Sequence, residues 1–270
     1  MTRRALFILL PLALLMAAIL LLGGCGAENQ DPKEMLEAAI QAARDAGSTH
    51  AQLNVAISDL EEEPGMGLNI MGDAWLDMDA RELDSRFTVM GLELSLRYVD
   101  DTAYLQFGGD WYVLSTDVIE GVGENAIDAL MDVLASIPEV FASNVEVKEM
   151  GEEKVGDYEC TRIQVMPDLQ AISALESVAR LAAELDMDPD QLLAYLEDAD
   201  IAMEVCVQND EPVIREAYLA ASTELPSVGD IMGIALLPEI ARVEITMVFP
   251  EYGMEVEVQA PAEASPFEGL

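Results

Sequence analysis

Apolar and polar positions alternate with period two along much of this 270-residue chain, the pattern of strands with one dry and one wet face. In "THAQLNVAIS", Ala51, Leu53, Val55 and Ile57 alternate with His50, Gln52, Asn54 and Ser58. In "GLNIMGDAWLDMD" the apolar parity is Leu68, Ile70, Ala74, Leu76 and Met78. "LDSRFTV" contributes Leu83, Phe87 and Val89, and "LELSLRY" contributes Leu92, Leu94, Leu96 and Tyr98. Two short strands, "TAYLQF" and "WYVLS", flank Gly108-Gly109-Asp110, a tight hairpin signal. A second hairpin is read in "NVEVKEMGEEKVGDYECTRIQVMP", and "IAMEVCVQ", "PVIREAYLAAS", "EIARVEITMVF" and "GMEVEVQAP" close the chain as three or four strands.

The period lengthens to that of a helix in three places. Pro32 to Asp45 has Asp31 as N-cap, a proline at its first position and Gly47 to end it, with Met35, Ala38, Ala39, Ala42 and Ala46 as a weakly apolar stripe. Ile127, Leu130, Met131, Leu134, Ile137 and Phe141 recur at three-four spacing in a second helix. Leu169, Ile172, Leu175, Val178, Ala182 and Leu185 form a third stripe, after which Asp188-Pro189 caps a shorter helix carrying Leu192, Leu193 and Leu196. There is no fixed repeat and no linker long enough to divide domains. The expected fold is α+β: one strongly curved antiparallel sheet of roughly ten or eleven strands, an open half-barrel, with helices covering its concave face.

The N-terminus stands apart from this pattern. Arg3 and Arg4 precede an apolar run from Ala5 to Leu22, broken only by Pro11, which reads as the charged and apolar regions of a secretory signal. The run is long enough to span a bilayer, but small residues and a cysteine follow it rather than basic or aromatic anchors. "Leu22-Gly23-Gly24-Cys25" resembles the lipobox of bacterial lipoproteins. That resemblance implies cleavage before Cys25, diacylglycerol on its sulfur and a further acyl chain, such as palmitate, on the new N-terminus; the alternative is an uncleaved anchor. Thr2-Arg3-Arg4 also loosely resembles a twin-arginine export signal. The expected organisation is signal peptide 1–24, lipidated tether 25–31, one domain over 32–260 and a frayed tail 261–270, held by its acyl chains on the extracytoplasmic face of the cell membrane.

Charge narrows the partners. The chain has 13 Lys+Arg against 52 Asp+Glu, and removing the two arginines of the leader leaves about −41. Nucleic acid is excluded, since phosphate binding needs a basic surface, and so is lying flat on anionic headgroups. The acids are spread without an EF-hand spacing, so the plain reading is a solvated acidic surface with no metal.

Two cysteines remain after the anchor. Cys160 shares its strand parity with Arg162 and Gln164, and Cys206 shares its own with Glu204 and Gln208. If those strands pair, period two brings the thiols to one face, which predicts a cross-strand disulfide in an exported protein; the alternative is two free thiols.

The order of elements, with Trp111-Tyr112 after a Gly-Asp turn and the strand entry "VGDYEC", resembles the half-barrel lipoproteins related to LolA, LppX and LprG. The resemblance implies an unclosed barrel with a helical lid over a hydrophobic cavity that receives acyl chains. It brings no catalytic residue and no cofactor. The chain's own residues add modest support, because fifteen methionines is a high count and flexible thioethers suit varied apolar ligands, with ordinary core filling as the alternative. The residues expected to line a cavity are Leu76, Met78, Leu94, Leu96, Met203 and Met247 on strands. Met131 and Leu134 join them from the second helix, and Met232 and Leu236 from "PSVGDIMGIALLPEI", which reads either as a lid or as one more buried element.

Enzyme signals are thin. His50 is the only histidine, so no Ser-His-Asp triad and no multi-histidine metal site can be built. Acids such as Asp73 and Glu93 on wet strand faces read as solvated, and no glycine-rich phosphate loop opens a helix. The expected function is therefore a non-catalytic envelope lipoprotein that carries or senses a lipid or other hydrophobic ligand. The alternative is a scaffold with a filled core that binds an envelope protein partner.

Overall fold

A computed structural model describes residues 31–59, 67–114, 145–168, 179–180, 200–224 and 240–266. Helix α1, Pro32–Ala46, begins as expected: the Asp31 side chain accepts from the Lys33 backbone N–H at 2.9 Å, which satisfies one of the free donors of the first turn. Gly47 ends it in the left-handed region at φ 70°, its N–H donating to the carbonyls of Ala43 and Arg44. The stripe that faces inward is Leu36, Ala39, Ile40 and Ala43, not the one through Met35 and Ala38. The larger aliphatic side chains gain most from burial, and they set the helix's rotation.

Among the described residues twelve strands follow, and they form one open, curved sheet. The first six are β1 Ser48–Asp59, β2 Gly67–Asp77, β3 Glu82–Val89, β4 Leu92–Val99, β5 Thr102–Phe107 and β6 Asp110–Val113. The rest are β7 Val145–Val155, β8 Tyr158–Pro167, β9 Asp200–Gln208, β10 Ile214–Glu224, β11 Ile240–Tyr252 and β12 Ser265–Pro266. Their spatial order is β12-β6-β5-β4-β3-β2-β1-β11-β10-β9-β8-β7. The sheet consists of two antiparallel meanders, β1 to β6 and β7 to β11, joined where β1 pairs with β11. Its one parallel pairing among the described residues sets Ser265 beside Tyr112 and Pro266 beside Val113.

The C-terminal stretch differs from a frayed tail. Residues 261–266, read as part of a frayed tail, are tied to the sheet through β12. Of the three or four closing strands expected, "GMEVEVQAP" forms none, because Gly253 turns the chain off the end of β11 at φ 65°. Helices covering the concave face are not shown: the one long helix among the described residues, α1, packs on β1, β7 and β9. The second helix, with Met131 and Leu134, lies outside the described residues, as does the third apart from Ala179 and Arg180.

Candidate functional site

The dry face of the sheet is one surface in two conditions. Over β8 to β11 and β1 it is mostly sealed, with Ile163, Val205, Ala217 and Phe249 showing no exposure and Leu36 of α1 packed into the same cluster. Over β2 to β6, which we call the wing, the same parity is only half-buried. The register places Gly72, Phe87, Leu94 and Phe107 side by side on four adjacent strands, and the next row holds Ala74, Ser85, Leu96, Leu105 and Tyr112. Of these nine, Ser85 alone is buried, its hydroxyl donating to the Leu96 carbonyl at 3.1 Å. A third row, Leu76, Leu83, Tyr98 and Ala103, closes the bottom of the wing and is mostly buried. At the opposite end the hairpin tips expose Met90 at 66% and Leu92 at 57%. Gly91, Leu92, Glu93, Phe107, Gly108 and Gly109 line an open depression there of about 390 Å³.

This division sorts the residues expected to line a cavity. Leu94 and Leu96 lie on the half-buried wing, with Leu76 and Met78 at its closed end. Met203 and Met247 are 1% exposed and belong to the sealed cluster, on the two strands that flank β10. Met131, Leu134, Met232 and Leu236 lie outside the described residues.

The wet face carries the polar groups. His50 bonds Asp73 at 2.8 Å and stacks on Trp75 with ring centroids 4.8 Å apart, while the Arg86 guanidinium lies 5.4 Å from the Trp75 ring on its other flank. Asp73 is thus a partner of His50 and Gln52 rather than simply solvated. Arg97 lies 4.6 Å over Trp111 and bonds Asp84 at 3.4 Å. Both tryptophans of the chain therefore stand on the wet face, each with an arginine against it.

Cys160 and Cys206 form a disulfide, with Cα atoms 5.5 Å apart. In the register Cys160 stands opposite Gln208 and Cys206 opposite Arg162, so the two are diagonal neighbours on the wet parity. Neither has any exposure. Arg162 lies beside the bridge, bonding Glu153 and reaching Glu216 at 2.7 Å and Glu204 at 3.5 Å. Burial works against the Arg162 charge, but its bonds to Glu153 and Glu216 outweigh that and hold it further toward the protonated form than usual. The same bond from Arg162 pulls the Glu153 carboxyl below its ordinary value.

Arg215 was not foreseen. It is 8% exposed, bonds Gln208 at 2.7 Å and the carbonyls of Phe249 and Pro250, and lies 3.9 Å over the Tyr158 ring. A bulge between Ile214 and Glu216 sets it on the side of Gln208 and Tyr158, where period two from Ala217 would not place it. Period-two reading has no signal for that, because one extra residue reverses the parity.

Among the described residues no group of three His, Cys, Asp or Glu side chains could hold a metal ion. Nor is any helix among them long and apolar enough to cross a membrane; the run from Ala5 to Leu22 and Cys25 lie outside them. No family model and no curated protein matches the chain. Solved structures do. The chain is similar to the Mycobacterium tuberculosis lipoprotein LppX at 15% identity, over 85% of this chain and 100% of that one, with a TM-score of 0.43. LprF from Mycobacterium bovis matches at 12% identity over 86% and 97%, with a TM-score of 0.46. Pseudomonas aeruginosa MucB, solved with MucA, matches at 13% over 86% of this chain and 62% of that one, with a TM-score of 0.36.

Proposed function

We propose that the chain is a non-catalytic lipoprotein, held by Cys25 on the extracytoplasmic face of the cell membrane, that binds a lipid or other hydrophobic ligand against the dry face of the wing. The observation that carries this reading is the change in burial along a single apolar face: Phe87, Leu94, Leu96, Leu105 and Phe107 stay half-buried while the β8 to β11 part is mostly sealed. Burying a dozen methylenes of an acyl chain on such a surface gains on the order of 10 kcal/mol before ordering costs. With about −41 of net charge on the mature chain, an uncharged or cationic headgroup suits the surface better than an anionic one.

The test is a mass spectrum of an organic extract from the purified chain, together with titration by the neutral fluorophore N-phenyl-1-naphthylamine. Co-purifying lipid and saturable binding are expected. A clean protein that leaves the fluorophore dark overturns the reading. The second reading, a scaffold for an envelope protein, draws on the placement of Trp75 and Trp111 on the wet face; it would gain if the wing proved inert and a partner covered those rings.

A further inference from the structure

The last described stretch of the chain, residues 253–266, leaves the middle of the sheet and ends at its free edge. It starts where the Gly253 N–H donates to the Ser48 carbonyl at 2.9 Å and the Ser48 hydroxyl donates to the Met254 carbonyl. Further on, the Val258 N–H donates to the Glu82 carboxylate at 3.3 Å, and Arg97 donates to the Gln259 carbonyl at 3.1 Å. It finishes as β12 alongside β6. Ser48, Glu82 and Arg97 belong to β1, β3 and β4 and share the wet parity with His50, Asp84 and Arg86.

The segment therefore crosses the back of the wing. From β1 to β6 is five strand spacings, about 24 Å, and thirteen extended residues reach roughly 40 Å, so the crossing has slack. Val258 is the buried point of the span at 6% exposure. Arg97 is its node, since one guanidinium contacts Asp84 on β3, the Trp111 ring on β6 and the Gln259 carbonyl. Apart from Val258 the attachment rests on a few hydrogen bonds and the two-residue pairing with β6. Such an attachment opens long before the sheet does.

We propose that residues 253–266 are a strap that holds the wing at fixed curvature from its wet side, and that lifting the strap lets the wing flex to admit a ligand on its dry side. This rests on the ligand reading above for its use, though not for its geometry. α1 braces β1, β7 and β9, and the strap is the brace for the opposite half.

The test compares the full chain in nanodiscs with its Val258→Asp variant, which puts a carboxylate at the buried point and beside Glu82. A second variant, Glu82→Ala, removes one anchor without touching the strap. Hydrogen exchange is read over β3 to β6 and over β8 to β10. In parallel, an uncharged photoreactive monoacylglycerol is followed as it crosslinks to β3–β5 peptides. Exchange about tenfold faster in the wing, with β8 to β10 unchanged and crosslinking accelerated, is the expected result. Unchanged wing exchange in both variants overturns the strap and leaves the ligand reading standing. Faster exchange with an unaltered crosslinking rate overturns the coupling. Absence of crosslinking in every form overturns the ligand reading and the gating with it, while exchange alone still reports whether the strap braces the wing.

Discussion

Phe87 fills the space that a side chain at Gly72 would take. The two are directly paired across β2 and β3, and a Cβ on Gly72 would come within 2.5 Å of the Phe87 ring and closer still to the Arg86 carbonyl. The ring can turn away but the carbonyl cannot. Gly72→Val is expected to cost about 2–3 kcal/mol, or roughly 5–10 °C in Tm, by overpacking and by displacing Phe87 from the wing's central row. Thermal melts of the variant beside Gly72→Ala check this, with the smaller residue costing less.

The two halves of the dry face predict opposite behaviour on substitution. Met203→Ala, in the sealed half, should lose about 2–4 kcal/mol of stability while leaving fluorophore binding by the folded chain in place. Leu94→Gln, on the half-buried wing, should change stability by under about 1.5 kcal/mol and weaken binding at least fivefold. Denaturant unfolding and fluorescence titration on the same preparations separate the two.

Much of this arrangement is legible in the chain, and the exceptions have physical reasons. Alternation in "THAQLNVAIS" corresponds to β1, and the shared parity of Cys160 and Cys206 anticipates their bridge. The same alternation in Met254, Val256 and Val258 reads as a strand, and burial does follow it, with the glutamates between them exposed. No ladder partner exists there, because periodicity reports which side is covered and says nothing of what covers it. The division of the dry face into sealed and half-buried parts is invisible for a like reason: Met203 and Leu94 have the same pattern in the chain, which does not tell that α1 packs on β9.

The disulfide closes a sequence separation of 46 residues, for which loop-closure entropy gives a stabilisation of about 4 kcal/mol. The double variant Cys160→Ser, Cys206→Ser should lose most of that in urea unfolding. Since both cysteines are fully buried, dithiothreitol should reduce the native bridge only at the rate at which this part of the sheet opens, whereas in 8 M urea it should act at once. Alkylation followed by mass analysis measures both.

Stability should fall at both ends of the pH scale for assignable reasons. The Tyr252 hydroxyl is buried and donates to the Ile214 carbonyl at 2.7 Å, and burial raises its pKa. Its contribution is complete below the ordinary tyrosine value of 10 and is lost as pH rises from there toward the folded value. Tyr252→Phe should cost about 1 kcal/mol at neutral pH and flatten the alkaline limb. At the other end Glu153 is held below 4.5 by Arg162, so its contribution is complete above that value and is lost as pH falls through the folded one. Glu153→Gln should flatten the acid limb. Urea midpoints from pH 3 to 11 give both slopes.

The proposed anchor is tested apart from the domain. Cys25→Ser should abolish incorporation of an alkynyl palmitate analogue and release the chain from the membrane fraction if the leader is still cleaved, or leave it at its uncleaved mass if it is not. Incorporation that persists in the variant would refute lipidation at Cys25.

Among the described residues β7 is the far edge of the sheet, broken by a bulge between Glu149 and Gly151 and lined by Glu146, Lys148, Glu149, Glu152, Glu153 and Lys154. With the proposed anchor at Cys25, molecules on one surface would meet far more often than the same number dispersed in a volume, and in nearly fixed orientation. Under that crowding a smooth apolar edge would let neighbours zip together sheet to sheet. A kinked edge of mixed charge lets them collide and part.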